Sequence, residues 1–202
     1  EDGEDQTGRV FVFLFPNPVF QSPIEITRDD PDGQDFFGSS LATGDFNGDG
    51  RPDLAVANNV DDTVTSLLGQ GQGNFASAGS FAVGERPSCV AVGDIDADGK
   101  LDWAVANQGS DTVSVLLGRG DGSFRPQTTF AVGRGPNALS AADFNGDQRP
   151  DLAVTNIFDN SVSVLLGNGS GMGGNASFLA QATFAVGAQP YDEFKKIIDE
   201  KL

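Results

Sequence analysis

The chain has 202 residues, 29 of them acidic and 12 basic, and a formal net charge of −17. That balance argues against nucleic acid, because phosphate binding needs clustered Lys and Arg, and against docking on anionic membrane by charge alone. With no histidine, Ser-His-Asp and Cys-His catalysis and histidine metal sites are excluded, and the single cysteine, Cys89, allows no intramolecular disulfide.

In chain order, residues 1–7 form an acidic segment without the pattern of a signal peptide. No apolar run approaches the roughly 18 residues of a membrane span, so no membrane insertion is expected. Gly8–Phe15 (GRVFVFLF) and Pro23–Thr27 read as two strands, half of the unit that repeats after them, within residues 8–35.

Three full units follow, over about 36–84, 85–133 and 134–187. Their acidic blocks are DFNGDGRPDLAVAN (Asp45–Asn58), DIDADGKLDWAVAN (Asp94–Asn107) and DFNGDQRPDLAVTN (Asp143–Asn156), 49 residues apart each time. TVTSLLG, TVSVLLG and SVSVLLG recur in step, and so does FAVG from Phe81, Phe130 and Phe184. Each unit reads as four short strands separated by Gly, Asp, Asn and Pro. In the second unit these lie near Cys89–Gly93, Trp103–Ala106, Thr112–Leu117 and Thr128–Val132. Thr112 and Ser114 alternate with Val113 and Val115, as in a half-buried strand. Four strands in each unit of 40–50 residues is the signature of propeller blades, about three and a half of them here. The fold class expected is all-β, with a short amphipathic helix at 191–202, where Tyr191, Phe194, Ile197, Ile198 and Leu202 share a face.

The acidic blocks carry the chemistry. Their spacing is Asp-x-Asn/Asp-x-Asp-Gly-x-x-Asp, and alternating oxygen donors on a tight turn suit calcium, which takes 6–8 oxygens at about 2.3–2.6 Å. Loop one offers Asp45, Asn47, Asp49, Asp53 and the carbonyl of Arg51. Loop two offers Asp94, Asp96, Asp98, Asp102 and the carbonyl of Lys100. Loop three offers Asp143, Asn145, Asp147, Asp151 and the carbonyl of Arg149. About three Ca²⁺ ions are thus the expected cofactors. Gly50 and Gly99 suit the sharp turn at position six; Gln148 departs from it. An EF-hand would need Glu at position 12, where Val56, Val105 and Val154 stand.

These motifs resemble the FG-GAP/VCBS repeats of integrin α-subunit propellers and bacterial surface proteins, through Phe37-Gly38, DFNGDGRPDLAVAN and VSVLLG-x-GDGSF, over roughly residues 8–190. The resemblance implies a propeller-like fold, calcium held by the residues named above and an extracellular or cell-surface setting. The function expected is an adhesion or protein/glycan recognition scaffold with structural calcium. The alternative is a self-assembling subunit, dimer or filament, that completes its blades between chains. A carboxylate-based polysaccharide-active enzyme ranks third, and no catalytic residue is assigned. Asn168 and Asn175 are glycosylation sequons. Arg119-Gly120-Asp121 spells an integrin-read tripeptide within a turn of the repeat. Cys89, aligned with Ser40 and Ala138, is expected as a buried packing residue, Trp103 as core, and Phe75, Phe124 and Phe178 as residues closing each blade.

Overall fold

Short runs of Ala, Val and Leu flanked by Asp and Asn cannot make helices long enough to be stable, but they fill the middle of a narrow sheet well. In the computed structural model, which describes residues 10–12, 24–26, 37–168, 177–179 and 182–185, they do so three times. β1 (Val10–Val12) and β2 (Ile24–Ile26) pair antiparallel. The first sheet holds β3 (Phe37–Gly44), β4 (Asp53–Asn58), β5 (Thr63–Gly71) and β6 (Asn74–Ala82) in chain order. The second holds β7 (Pro87–Gly93), β8 (Asp102–Asn107), β9 (Thr112–Leu116) and β10 (Thr128–Ala131). The third holds β11 (Pro136–Ala142), β12 (Asp151–Asn156), β13 (Ser161–Leu165) and β14 (Ala182–Ala185). All pairings are antiparallel between chain neighbours, so each sheet is a four-stranded meander. The described residues contain no helix. The helix expected at 191–202 and the sequon residue Asn175 lie outside them.

The sheets pack side by side, with β3, β7 and β11 adjacent from one sheet to the next. The Ser39 hydroxyl reaches the Pro87 carbonyl at 2.8 Å, and Ser88 reaches Pro136 at 2.9 Å. Two apolar clusters fill the junctions. Phe46, Ala55, Ala57, Val64, Trp103 and Phe124 belong to the first, and Ile95, Ala104, Val113, Leu152 and Val154 to the second. Trp103 stacks on Phe124 at 3.7 Å between ring centroids, and Phe46 and Phe81 meet it edge-on. Burying these rings is the largest apolar contribution at this junction.

Two expectations need correction. β9 is not half-buried: Ser114 is as inaccessible as Val113, because a middle strand between two packed sheets has no wet face. Its hydroxyl is satisfied by the Asn107 amide at 2.8 Å and by Gln127. Cys89 is half-buried rather than buried, on β7 at the edge of the second sheet. Trp103 and Phe124 are core, whereas Phe75 and Phe178 are half-buried against their clusters.

Candidate metal centre

Each acidic loop leaves the end of the first strand of its sheet and ends at an aspartate that opens the next strand. Within it, side-chain oxygens fold back onto backbone N–H groups. In loop one the Asp45 carboxylate accepts from Asp49 (3.1 Å) and Gly50 (2.8 Å), Asn47 from Asp49 (3.1 Å), and Asp49 from Arg51 (2.9 Å). Loop two repeats this: Asp94 accepts from Asp98 and Gly99, Asp96 from Asp98, and Asp98 from Lys100. In loop three Asp143 accepts from Gly146, Asp147 and Gln148, Asn145 from Asp147, and Asp147 from Arg149.

Two backbone positions per loop are left-handed. At position six φ is 79° for Gly50, 86° for Gly99 and 68° for Gln148. Gln148 therefore takes the glycine conformation at a steric cost of about 1–2 kcal/mol. Position four, which the motif reading did not single out, is also left-handed: Gly48, Ala97 and Gly146 have φ of 73°, 59° and 82°.

The position-nine aspartates differ from the rest. Asp53, Asp102 and Asp151 are essentially inaccessible. Asp53 accepts Phe46 N–H at 2.7 Å on one oxygen and Gly69 N–H at 2.8 Å on the other. Asp151 does the same with Phe144 and Gly167. Burial pushes the Asp102 carboxyl up to about 6, and it raises Asp151 as well.

Loop two gathers most charge. Oxygens of Asp94, Asp96 and Asp102 lie within 4.8 Å of one another. Burial, and then the neighbouring Asp98 and Asp94, raise Asp96. Asp98 is lowered instead, because the Lys100 ammonium sits 2.7 Å from it. Arg51 and Arg149 lie 3.8 Å from Asp49 and Asp147 in the same manner. Each position-seven residue thus places its cation over the position-five carboxylate. A compact set of hard carboxylate and amide oxygens with a buried anion at its base fits a calcium ion.

The repeat carries a polar cluster at the opposite end that the motif reading passed over. Asn58, Asn107 and Asn156, closing β4, β8 and β12, are buried against Thr63 and Thr65, Thr112 and Ser114, and Ser161 and Ser163. Their recurrence as the last letter of each acidic block was the available signal. Near this end, Asp62 and Glu85 line a cleft of about 460 Å³ with Arg86, whose N–H Asp62 already accepts at 2.8 Å.

Arg119-Gly120-Asp121 is bound into its turn. The Arg119 guanidinium donates to the Phe124 carbonyl at 3.0 Å, and Asp121 accepts from the Ser123 amide at 2.9 Å. Asn168 is half-buried and its amide oxygen accepts from the Ser177 hydroxyl.

The FG-GAP-like repeat model matches residues 45–105 and 94–154, together more than half of the chain. The chain belongs to the FG-GAP-like repeat family. No curated protein sequence matches it. Among solved structures this FG-GAP-like chain is similar to a functionally unknown protein from Desulfotomaculum acetoxidans DSM 771. Identity there is 18%, the TM-score is 0.55, and the match covers 80% of this chain and 44% of that one. It is also similar to BBS1N, solved in complex with ARL6DN, at 13% identity and a TM-score of 0.53 over 87% of this chain and 48% of that one. The chain thus spans under half the length of either structure. The FG-GAP-like match and these neighbours together describe a propeller-like repeat scaffold.

Proposed function

We propose that this chain is an extracellular recognition scaffold whose loops bind calcium to hold the sheets rigid, with a protein or glycan surface as its target. The observation that carries the calcium reading is the convergence of Asp94 and Asp96 on the buried carboxylate of Asp102. Bound calcium would offset the repulsion among these groups, and Asp45, Asn47, Asp49 and Asp53 in loop one, and Asp143, Asn145, Asp147 and Asp151 in loop three, would hold it alike. The backbone carbonyls of Arg51, Lys100 and Arg149 complete the proposed donor sets. A protein target is favoured by BBS1N, a neighbour in fold solved with a protein partner. Loops open to solvent, of the kind that fill where calcium is abundant, support the extracellular reading.

The test is calorimetric. Each occupied site adds about 2.7 kcal/mol at a hundredfold excess over Kd. The unfolding temperature rises with calcium and falls on chelation if the reading holds. An unchanged melt with calcium, magnesium or chelator sinks it.

One observation favours assembly as a second reading. Phe46 and Ile95, second in their loops, are 3% and 7% exposed under the following sheet, whereas Phe144 is 42% exposed. On the opposite flank Leu41 is 52% exposed, where its counterpart Val90 is 5% exposed in the cluster that holds Phe46. Leu41 of one copy against Phe144 of another would repeat the Val90 and Phe46 packing. Light scattering decides: a dimer or polymer that Phe144→Asp disperses supports this reading, and a strict monomer rejects it.

A further inference from the structure

Three observations converge on the first calcium loop from outside it. The Gly122 amide, in the second sheet's Arg119–Gly122 turn, donates to the Phe46 carbonyl at 3.0 Å. The Ser66 hydroxyl, from β5 of the first sheet, donates to the Gly122 carbonyl at 3.1 Å. The Phe46 ring packs edge-on against the stacked Trp103 and Phe124 rings of the second sheet, at 5.5 and 5.9 Å. Phe46 follows Asp45 directly, and its own N–H anchors Asp53 at 2.7 Å. Phe46, the residue that follows the first side-chain donor of loop one and hydrogen-bonds the last, is therefore held through its carbonyl and its ring by the neighbouring sheet.

We propose that the turn Arg119–Gly122 is a positioning strut for the cation site of loop one, so that affinity at this site depends on the second sheet. The proposal rests on the calcium reading given above. It also assigns a role to the Arg-Gly-Asp tripeptide, whose side chains are tied down so that the Gly122 amide points at loop one. Gly122 itself is fixed by two constraints. Its φ is +83°, and an added Cβ would stand 2.7 Å from Leu68. Groups that orient metal ligands from outside the coordination shell change affinity by about 10–100-fold when removed. Among the described residues, Phe144 is the counterpart whose ring is exposed, so loop three serves as the internal control.

The experiment is calcium titration calorimetry in two backgrounds. Asp94→Ala with Asp143→Ala leaves loop one alone; Asp45→Ala with Asp94→Ala leaves loop three alone. Gly122→Ala weakens calcium binding about tenfold in the loop-one background and leaves the loop-three background within about twofold. Ser66→Ala, a gentler change that keeps the glycine, weakens loop one about threefold. It carries the test if circular dichroism shows that Gly122→Ala does not fold. Unchanged affinity in the loop-one background overturns the strut while the calcium reading stands. Equal losses in both backgrounds overturn it as general loosening. Absence of calcium binding in the unsubstituted chain overturns both.

Discussion

The Asp102 carboxylate accepts the Gly118 N–H at 2.8 Å from sixteen residues away. Its other oxygen accepts Ile95 N–H, also at 2.8 Å. Asp53 with Gly69 and Asp151 with Gly167 repeat the bond at the same length and separation. The last acidic position of each loop therefore belongs as much to the sheet as to the loop, because it closes the strand beyond while facing the donor set.

Asp102→Ala and Asp94→Ala should separate these two roles. Asp102→Ala leaves two buried N–H groups without an acceptor and costs about 3 kcal/mol in urea denaturation with chelator present. Asp94→Ala, at the half-buried start of the loop, costs at most about 1 kcal/mol in chelator yet removes one calcium site. Equal losses in chelator would reject the distinction.

Two glycines in register should respond oppositely. A Cβ on Gly44 would stand 2.7 Å from Leu101 and 2.8 Å from Phe46, whereas on Gly93 it meets Ala141 at an ordinary 3.9 Å. The difference follows from Leu101, whose counterpart in the third unit is Pro150. Pro150 leaves a pocket of about 300 Å³ beside Gly93. Gly44→Ala should destabilise by about 2 kcal/mol through overpacking. Gly93→Ala should be neutral or stabilise by about 0.5 kcal/mol by restricting the unfolded chain. Thermal melts of both variants decide, and similar shifts would disprove the packing argument.

Gln148→Gly should stabilise the metal-free protein modestly. Relief of the left-handed backbone is worth about 1–2 kcal/mol, and the added freedom of glycine in the unfolded chain returns about 0.5–1 kcal/mol of it. The net gain is about 0.5–1 kcal/mol by urea denaturation. Gly99→Gln should lose a comparable amount, and a loss in both variants would contradict the strain assigned to position 148.

Trp103→Ala should be the most damaging single truncation at the first junction, about 3–5 kcal/mol. Trp103→Phe keeps a ring on Phe124 and should retain more than half of that stability. A cost under about 1 kcal/mol for Trp103→Ala would mean that the two sheets do not rely on this packing.

Much of this was legible in the sequence because repetition converts weak local signals into a register. DFNGDGRPDLAVAN and its two counterparts located three turns and three middle strands, and the residues aligned with Trp103 read correctly as core. Burial of polar groups was less legible. Ser114 looks like a solvent-facing partner of Val113 until a second sheet covers that face, and Asn107 looks like a strand end until Thr112 and Ser114 close on its amide. Alternation reports a strand's own faces, not what lies against them. The left-handed position four was also hidden, because Ala97 adopts it without a glycine.

The hydroxyl contacts from Ser39 to Pro87 and from Ser88 to Pro136 bear on how such a chain could lengthen. Donor and acceptor both advance by 49 positions between the two junctions, so residues 85–133 contain one complete acceptor side and one complete donor side. A tandem duplication of that stretch in the gene would splice a new module between its parents with matched seams on both sides. Growth of the array by whole units is thus an inexpensive genetic step, whereas gain or loss of a fraction of a unit would break a seam.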